Sequence, residues 1–365
     1  QLTCGQDLDL SGLSHALLDR IGPQQWPFPE GASQGKVRLY EDGVFPTPCG
    51  KARFVVTEHR ITAESPSARY PLHLNTGRLR DQWHGMSRTG LVARLYSHES
   101  EPMLHMHKDD MARRQLADGD LVKVKSRRGD VVLKVLESAT LRAGQCFVPM
   151  HWGANATGGL GINVLLPADF DPYSKQPELK HAAVQVEKYT DGKALVAMRR
   201  SEVGTDGQLH PNPLELMQRL RHWLPHFPYA SLTLAGRAAP VVVLKARGDD
   251  LAPALLEALD RELSLDDPTR VLSYQDSRKS VAKRALVEGD SLAAVRLAGE
   301  TKAAEWLADM MVQGHSAAAV RPWLLAPLTQ PPAGQAARGK VICNCFDVAE
   351  DDILAAFRSG ESLEA

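Results

Sequence analysis

The sequence predicts an α+β, mainly β chain: a compact β-barrel followed by a small α+β domain. Three observations carry this. Between residues 67 and 189, short apolar and β-branched runs recur at close spacing between Gly and Asp turns, as a barrel of short strands requires. Beyond that stretch, apolar residues recur at helical spacing between continuous apolar strands. With 28 Gly and 23 Pro in 365 residues, the chain is well supplied with turns.

The elements follow in order. Residues 1–66 are punctuated by Pro23, Pro27, Pro29, Pro46, Pro48 and Pro66. They hold one short helix over 13–21, on Leu13, Leu17, Leu18 and Ile21, and one strand over 52–56 after the Gly50-Lys51 turn. Within 67–189, strands are expected over 70–74, 103–106, 121–126, 131–136 and 146–150. Leu121-Val122-Lys123-Val124-Lys125 alternates with the period of a half-buried strand, and Arg127-Arg128-Gly129-Asp130 is a hairpin turn. A brief helix covers 108–115, and Asp118-Gly119-Asp120 is a turn. Within 190–326, helices are expected over 213–224, 251–263 and 301–311. Strands are expected over 241–244 and 271–274, with a hairpin of 281–287 and 292–298 about Gly289. Residues 327–339 read as a Pro/Gly linker. Residues 340–365 read as a strand, Cys343-Asn344-Cys345, and a helix to about Arg358 that Asp347 could cap and Gly360 end.

Composition narrows the function. Lys and Arg total 43 against 44 Asp and Glu, a formal charge of −1, which removes the broad electrostatic case for nucleic acid or an anionic membrane. No apolar run reaches the ~18 residues of a membrane span. Five cysteines, an odd number, argue against a disulfide framework and for reduced thiols in a cytoplasmic protein. The chain begins with Gln and shows no signal-peptide pattern, so its start is expected to be internal.

Two polar constellations could carry chemistry. The first runs from Leu74 to Arg88 and includes Thr76-Gly77-Arg78, Trp83-His84-Gly85 and Ser87-Arg88. Glycine lets the backbone approach a ligand, neighbouring N–H groups can cradle phosphate, and Arg offers a fork of donors to phosphate or a planar heterocycle. A polar strand-end loop with surface arginines would have the same composition. The second starts at His151-Trp152-Gly153 and continues through Gly158, Gly159, Gly161 and Asn163. It then reaches Asp171-Pro172, Ser174, Gln176-Pro177-Glu178 and Lys180. Such a Gly/Asn loop suits a ligand cover or a flexible insertion. Its glycines lack the spacing of a dinucleotide fingerprint.

These residues, with Ser126-Arg127-Arg128-Gly129 and the Asp118 turn, carry a resemblance. The stretch 70–189 resembles the molybdopterin-guanine-dinucleotide-binding domain of the molybdenum oxidoreductases that include nitrate reductases and formate dehydrogenases. The resemblance implies a six-stranded double-psi β-barrel. It implies that Thr76, Gly77, Arg78, Trp83, His84 and Gly85 lie along the pterin and phosphates, and that Ser87 and Arg88 continue that contact. His151, Asn163, Gln176 and Lys180 would also hold the cofactor. Residues 1–66 resemble the end of the catalytic domain of the same enzymes, through Gln25-Trp26-Pro27 and 48–54. There the thiolate that binds molybdenum lies elsewhere, so Cys49 is not expected to be a ligand.

Residues 341–360 resemble the start of a bacterioferritin-associated ferredoxin-like 2Fe–2S domain, which implies Cys343 and Cys345 as two of four thiolates. The expectation is half a site, cut through by the end of a truncated segment, with a 4Fe–4S relay on a missing N-terminal part. His98, His105 and His107 are not expected to bind metal, and no catalytic residue is assigned. The combination resembles the catalytic subunits of assimilatory nitrate reductases. It implies nitrate as substrate and a molybdenum-bis(molybdopterin guanine dinucleotide) cofactor. The implied electron donor is a ferredoxin, a flavodoxin or an NADH-dependent reductase subunit. A formate dehydrogenase-like enzyme and a non-catalytic electron-transfer or docking module are the alternatives.

Overall fold

The computed structural model describes residues 2–249, 251–332, 339, 341–343, 346 and 348–359. It divides into two units, 1–61 and 62–365. The first unit is mostly turns around one helix, α1 (His15–Ile21). Ser14 caps α1 by accepting the Leu17 N–H at 3.2 Å, so the helix starts later than apolar spacing suggests. The strand expected over 52–56 does not form. Phe54 and Val56 are each 93% exposed, and the segment pairs with no other described segment. Its β-branched and aromatic residues favour a strand only where a neighbouring strand and a packed face exist to receive them.

In the second unit, six strands close a barrel: β1 (Leu72–Gly77), β2 (Met103–Met106), β3 (Leu121–Lys125), β4 (Asp130–Glu137), β5 (Gln145–Pro149) and β6 (Ala182–Lys188). Their order around the barrel is β1-β5-β2-β4-β3-β6. Two pairs are parallel, β1 with β5 and β2 with β4, and the others are antiparallel. The carboxyl ends of β1, β3 and β5 therefore share one rim with the amino ends of β2, β4 and β6. Leu72, Leu74, Leu104, Val122, Val135, Val148 and Val184 fill the interior, all 0–1% exposed. A short helix, α2 (Lys108–Ala112), starts at His107, whose Nδ1 accepts the Asp109 N–H at 3.2 Å. It ends before Gln115, which has φ +54°.

The chain next enters a second sheet through β7 (Lys193–Arg200) and a two-stranded ribbon, β8 (Glu202–Val203) and β9 (Leu209–His210). It continues through α3 (Pro213–Leu220), β10 (Tyr229–Ala235), β11 (Val241–Gly248), α4 (Pro253–Glu262), β12 (Val271–Asp276), β13 (Val281–Glu288), β14 (Ser291–Gly299) and α5 (Ala304–Gln313). The sheet is antiparallel, in the order β10-β11-β7-β14-β13-β12. Leu216 of α3 and Leu256 of α4 pack on the face of Leu195 and Ala197, in one core continuous with the barrel. Trp306 and Met310 of α5 cover the face of Val196 and Met198. The helix expected over 213–224 tightens to a 3-10 turn at Arg221–His226, where Pro225 withholds a backbone donor. Beyond residue 326, β15 (Val341–Cys343) pairs with β16 (Val348–Ala349), and α6 (Glu350–Ser359) follows. The expected cap Asp347, the stop Gly360, and the ligand Cys345 lie outside the described residues.

Two buried ion clusters fix this part of the molecule. Asp260 of α4 holds Arg296 in a two-pronged pair at 2.8 and 2.9 Å, with Arg284 at 3.1 Å. Glu101, just before β2, accepts Lys134 of β4 and Lys245 of β11 at 2.8 Å each, and also the Tyr229 hydroxyl of β10. It ties the barrel to the sheet.

The cysteines give a direct check. Burial pushes the Cys146 thiol up, while hydrogen bonds from Lys51 and Thr47 lower that of the exposed Cys49. Brief iodoacetamide treatment of the folded chain is expected to alkylate Cys49 and leave Cys146 intact, read by peptide mass spectrometry. Equal labelling would contradict the buried position of β5.

Candidate functional site

The barrel rim at the carboxyl ends of β1 and β5 gathers the predicted residues. β1 delivers Thr76 and Gly77, then Arg78 and the loop to Arg88. Thr76 is buried and its hydroxyl donates to the Leu179 carbonyl at 2.5 Å, which brings Lys180 beside the strand end. Gly77 lets the Phe147 ring on β5 lie close over the strand: a Cβ there would lie 2.9 Å from the ring and would push it aside. Met150 donates its N–H to the Gly77 carbonyl at 2.8 Å, which carries the pairing on to His151.

His151 is 1% exposed, and the chain itself uses both ring nitrogens. Nε2 accepts the Leu79 N–H at 2.9 Å, which leaves the proton on Nδ1 to donate to the His84 carbonyl at 2.6 Å. Burial lowers its pKa and so favours this neutral form. The ring therefore clasps the 79–84 loop instead of reaching out from it.

The clasp holds an unusual backbone. His84 has φ +40° and Met86 φ +59°, left-handed values that cost a non-glycine residue about 1–2 kcal/mol each. Met86 is buried, while Gly85 between them has nothing within 4 Å of where its Cβ would be. Gly85 thus offers approachable backbone on a rigid bend. Trp83 is 55% exposed, with the Arg78 guanidinium 5.1 Å from its ring centre and the His84 ring edge-on at 4.4 Å. Ser87 and Arg88 are exposed beside it.

The second constellation reaches the same rim. Ile162 donates its N–H to the Trp152 carbonyl at 3.2 Å, which sets the 3-10 turn Ile162–Leu165 and its exposed Asn163 next to His151. Arg128 of the β3–β4 hairpin donates to the Leu165 carbonyl at 2.8 Å and to Glu64 at 2.8 Å, locking that turn. Asp171 accepts the Tyr173 and Ser174 N–H groups at 3.0 and 2.7 Å, so it shapes the bend that presents exposed Gln176 and Lys180.

The donor set suits an anionic, heterocyclic ligand. Arg78, Arg88 and Lys180 are exposed cations, Asn163 and Gln176 are exposed carboxamides, and Trp83 presents a ring face. Three buried polar atoms in these segments, Gln82 Oε1, Trp152 Nε1 and Glu178 Oε1, have no hydrogen-bond partner among the described residues. Oε2 of Glu178 accepts the Ala63 N–H at 3.3 Å, a partner 115 residues away, so the placement of this carboxylate has no local signature in the sequence.

His105 pairs with Glu99 at 3.2 Å and His98 lies 3.8 Å from Asp81. Among the described residues, no group of three or more His, Cys, Asp or Glu side chains could hold a metal ion. Cys343 ends β15.

The barrel segment is also similar to known proteins. Residues 72–183 match the model of the molydopterin dinucleotide binding domain. A nitrate reductase of Klebsiella oxytoca is 36% identical over 203 residues, 55% of this chain and 23% of that protein. The assimilatory nitrate reductase catalytic subunit of Bacillus subtilis is 34% identical over 180 residues, 49% and 25% respectively. The F420-dependent formate dehydrogenase subunit alpha of Methanocaldococcus jannaschii is 34% identical over 170 residues, 46% and 24%. The chain thus spans about a quarter of the length of these relatives.

Proposed function

Because residues 72–183 match the molydopterin dinucleotide binding domain, we propose that this chain supplies the cofactor-holding wall of a molybdenum-dependent nitrate reductase that makes nitrite for nitrogen assimilation. The observation that carries this is the single rim on which Arg78, Trp83, Arg88, Asn163, Gln176 and Lys180 stand exposed around a bend clasped by His151. The two parallel pairs, β1 with β5 and β2 with β4, support the double-psi description of the barrel.

The residues present fit a molybdenum-bis(molybdopterin guanine dinucleotide) cofactor. Arg78, Arg88 and Lys180 would neutralise its pyrophosphates, with Gly85 and Ser87 adding uncharged donors. Asn163, Gln176 and the spare Glu178 oxygen would meet the edges of guanine and pterin, and Trp83 would offer a stacking face. Thr76, Gly77 and His151 fix the backbone beneath them. When bound, the cofactor supplies the two-electron chemistry at molybdenum; the chain supplies binding and orientation. Cys343 and Cys345 are proposed thiolates of a 2Fe–2S cluster that takes electrons from a ferredoxin, flavodoxin or NADH-dependent partner. No described helix is long and apolar enough to cross a membrane, and a cytoplasmic location is part of the proposal.

The test is the whole protein. Purified, it is expected to contain molybdenum, to release guanine nucleotide on acid hydrolysis, and to oxidise reduced viologen dye with nitrate. Absence of molybdenum and guanine nucleotide would defeat the proposal. The similarity to a formate dehydrogenase subunit favours one second reading. Formate-dependent dye reduction without nitrate activity would select it.

A further inference from the structure

The six-stranded sheet has an outermost strand, β10, that does not end in solvent. An edge strand presents a row of unpaired N–H and C=O groups, which a protein must cover or disguise. Here the cover is the loop between His151 and Asn163. Gly158 donates its N–H to the Ala230 carbonyl at 3.0 Å, and Leu232 donates its N–H to the Ala156 carbonyl at 3.0 Å. Thr157 forms the bridge to Ser231 between them. Thr157 and Gly158 are buried by this contact, while Gly159 and Leu160 beyond it are exposed.

Glycine is the only residue that fits at position 158. A Cβ there would lie 2.5 Å from the Phe227 carbonyl oxygen and 2.9 Å from the Ala230 nitrogen. At the other end, the loop closes into a neck. Gly153 bridges Gly161, and the Thr157 hydroxyl donates back to the Gly153 carbonyl at 3.1 Å. The two strands of the neck lead directly to His151 and to Asn163. A displacement of the loop tip is therefore transmitted to the clasp on one side and to an exposed carboxamide on the other.

We propose that the six-stranded sheet is a positioning element for the cofactor rim: its edge strand β10 holds residues 156–158 and so sets the places of His151 and Asn163. This rests on the cofactor reading of the rim. The sheet needs no ligand of its own for this task. The Glu101 cluster ties it to the barrel independently, through Tyr229 and Lys245. Gly158 is thus a positioning residue that acts through its neighbours.

The experiment compares the full chain with Gly158→Val, Gly158→Ala and the exposed-tip control Leu160→Ala. Amide hydrogen exchange is read throughout, and GDP, as a probe of the guanine diphosphate half, is titrated calorimetrically. The valine variant is expected to speed exchange at residue 158 and Leu232 by about tenfold or more. The same loosening is expected at Val164 and Leu166, whose amides bond within the Asn163 turn, while the β7–β11 ladder stays protected. GDP affinity is expected to fall about tenfold, with Leu160→Ala unchanged in both readouts. Gly158→Ala puts one methyl into the same clash and decides the matter if valine loosens the whole sheet. Opening at residue 158 and Leu232 with no change at 164–166, or unchanged GDP affinity, would overturn the proposal. Failure of the unaltered chain to bind GDP would instead overturn the cofactor reading, and with it the purpose assigned to the contact.

Discussion

His151→Ala is expected to destabilise the chain by about 2–5 kcal/mol and to abolish binding at the rim. The ring satisfies two backbone groups, the Leu79 N–H and the His84 carbonyl, at 2.9 and 2.6 Å. The buried Leu79 N–H left without a partner costs about 1–3 kcal/mol, and the part-buried His84 carbonyl and the lost packing of the ring supply the rest. The loss also releases the left-handed turn at His84 and Met86, which no local preference maintains. Urea unfolding measures the first effect and GDP titration the second. Acid should weaken the same clasp. Burial lowers the folded pKa of His151 below its usual 6.5, so its contribution is complete above that value and is lost as pH falls below it. Protonation of Nε2 removes the acceptor for Leu79. A variant with unaltered stability and unaltered GDP affinity would show that the ring is dispensable.

Glu101→Ala is expected to cost about 3–5 kcal/mol, because it strands two ammonium groups and a buried hydroxyl between barrel and sheet. Burial alone would raise the Glu101 carboxyl, but Lys245 and Lys134 outweigh it and hold the pKa at about 2. The folded value lies below the ordinary 4.5, so this contribution is present above pH 4.5 and is lost as pH falls toward about 2. At about 1.4 kcal/mol per pH unit, that window is worth roughly 3 kcal/mol. Urea midpoints across the window should converge for the parent chain and the variant. A constant gap would assign the stabilisation to packing instead of charge.

The sequence makes some of this legible and hides the rest for physical reasons. Val122–Lys125 alternates because Val122 and Val124 face the barrel interior while Lys123 and Lys125 are partly exposed on the other side of β3. β7 and β10 lack that signature. β7 is buried on both faces, and its Ala-Leu-Val-Ala-Met run reads equally as helix, so the centre of the second sheet goes unpredicted. The segment 52–56 errs the other way, with strand chemistry and no strand beside it. Among the rim residues, Arg78, Asn163 and Lys180 stand out by type and context. The work of His151 does not, since its partners are backbone groups 72 and 67 residues away. The requirement for glycine at 158 is likewise set by Phe227 and Ala230, far along the chain.

The most direct test of the central claim is where a guanine nucleotide attaches. Azido-substituted GDP, photolysed with the full chain and mapped by peptide mass spectrometry, should label the 76–88 and 176–180 segments. Excess GDP should protect both, and Arg78→Ala combined with Lys180→Ala should strongly reduce labelling. Labelling confined to the six-stranded sheet, or labelling unchanged in that double variant, would contradict the assignment of the barrel rim as the dinucleotide site.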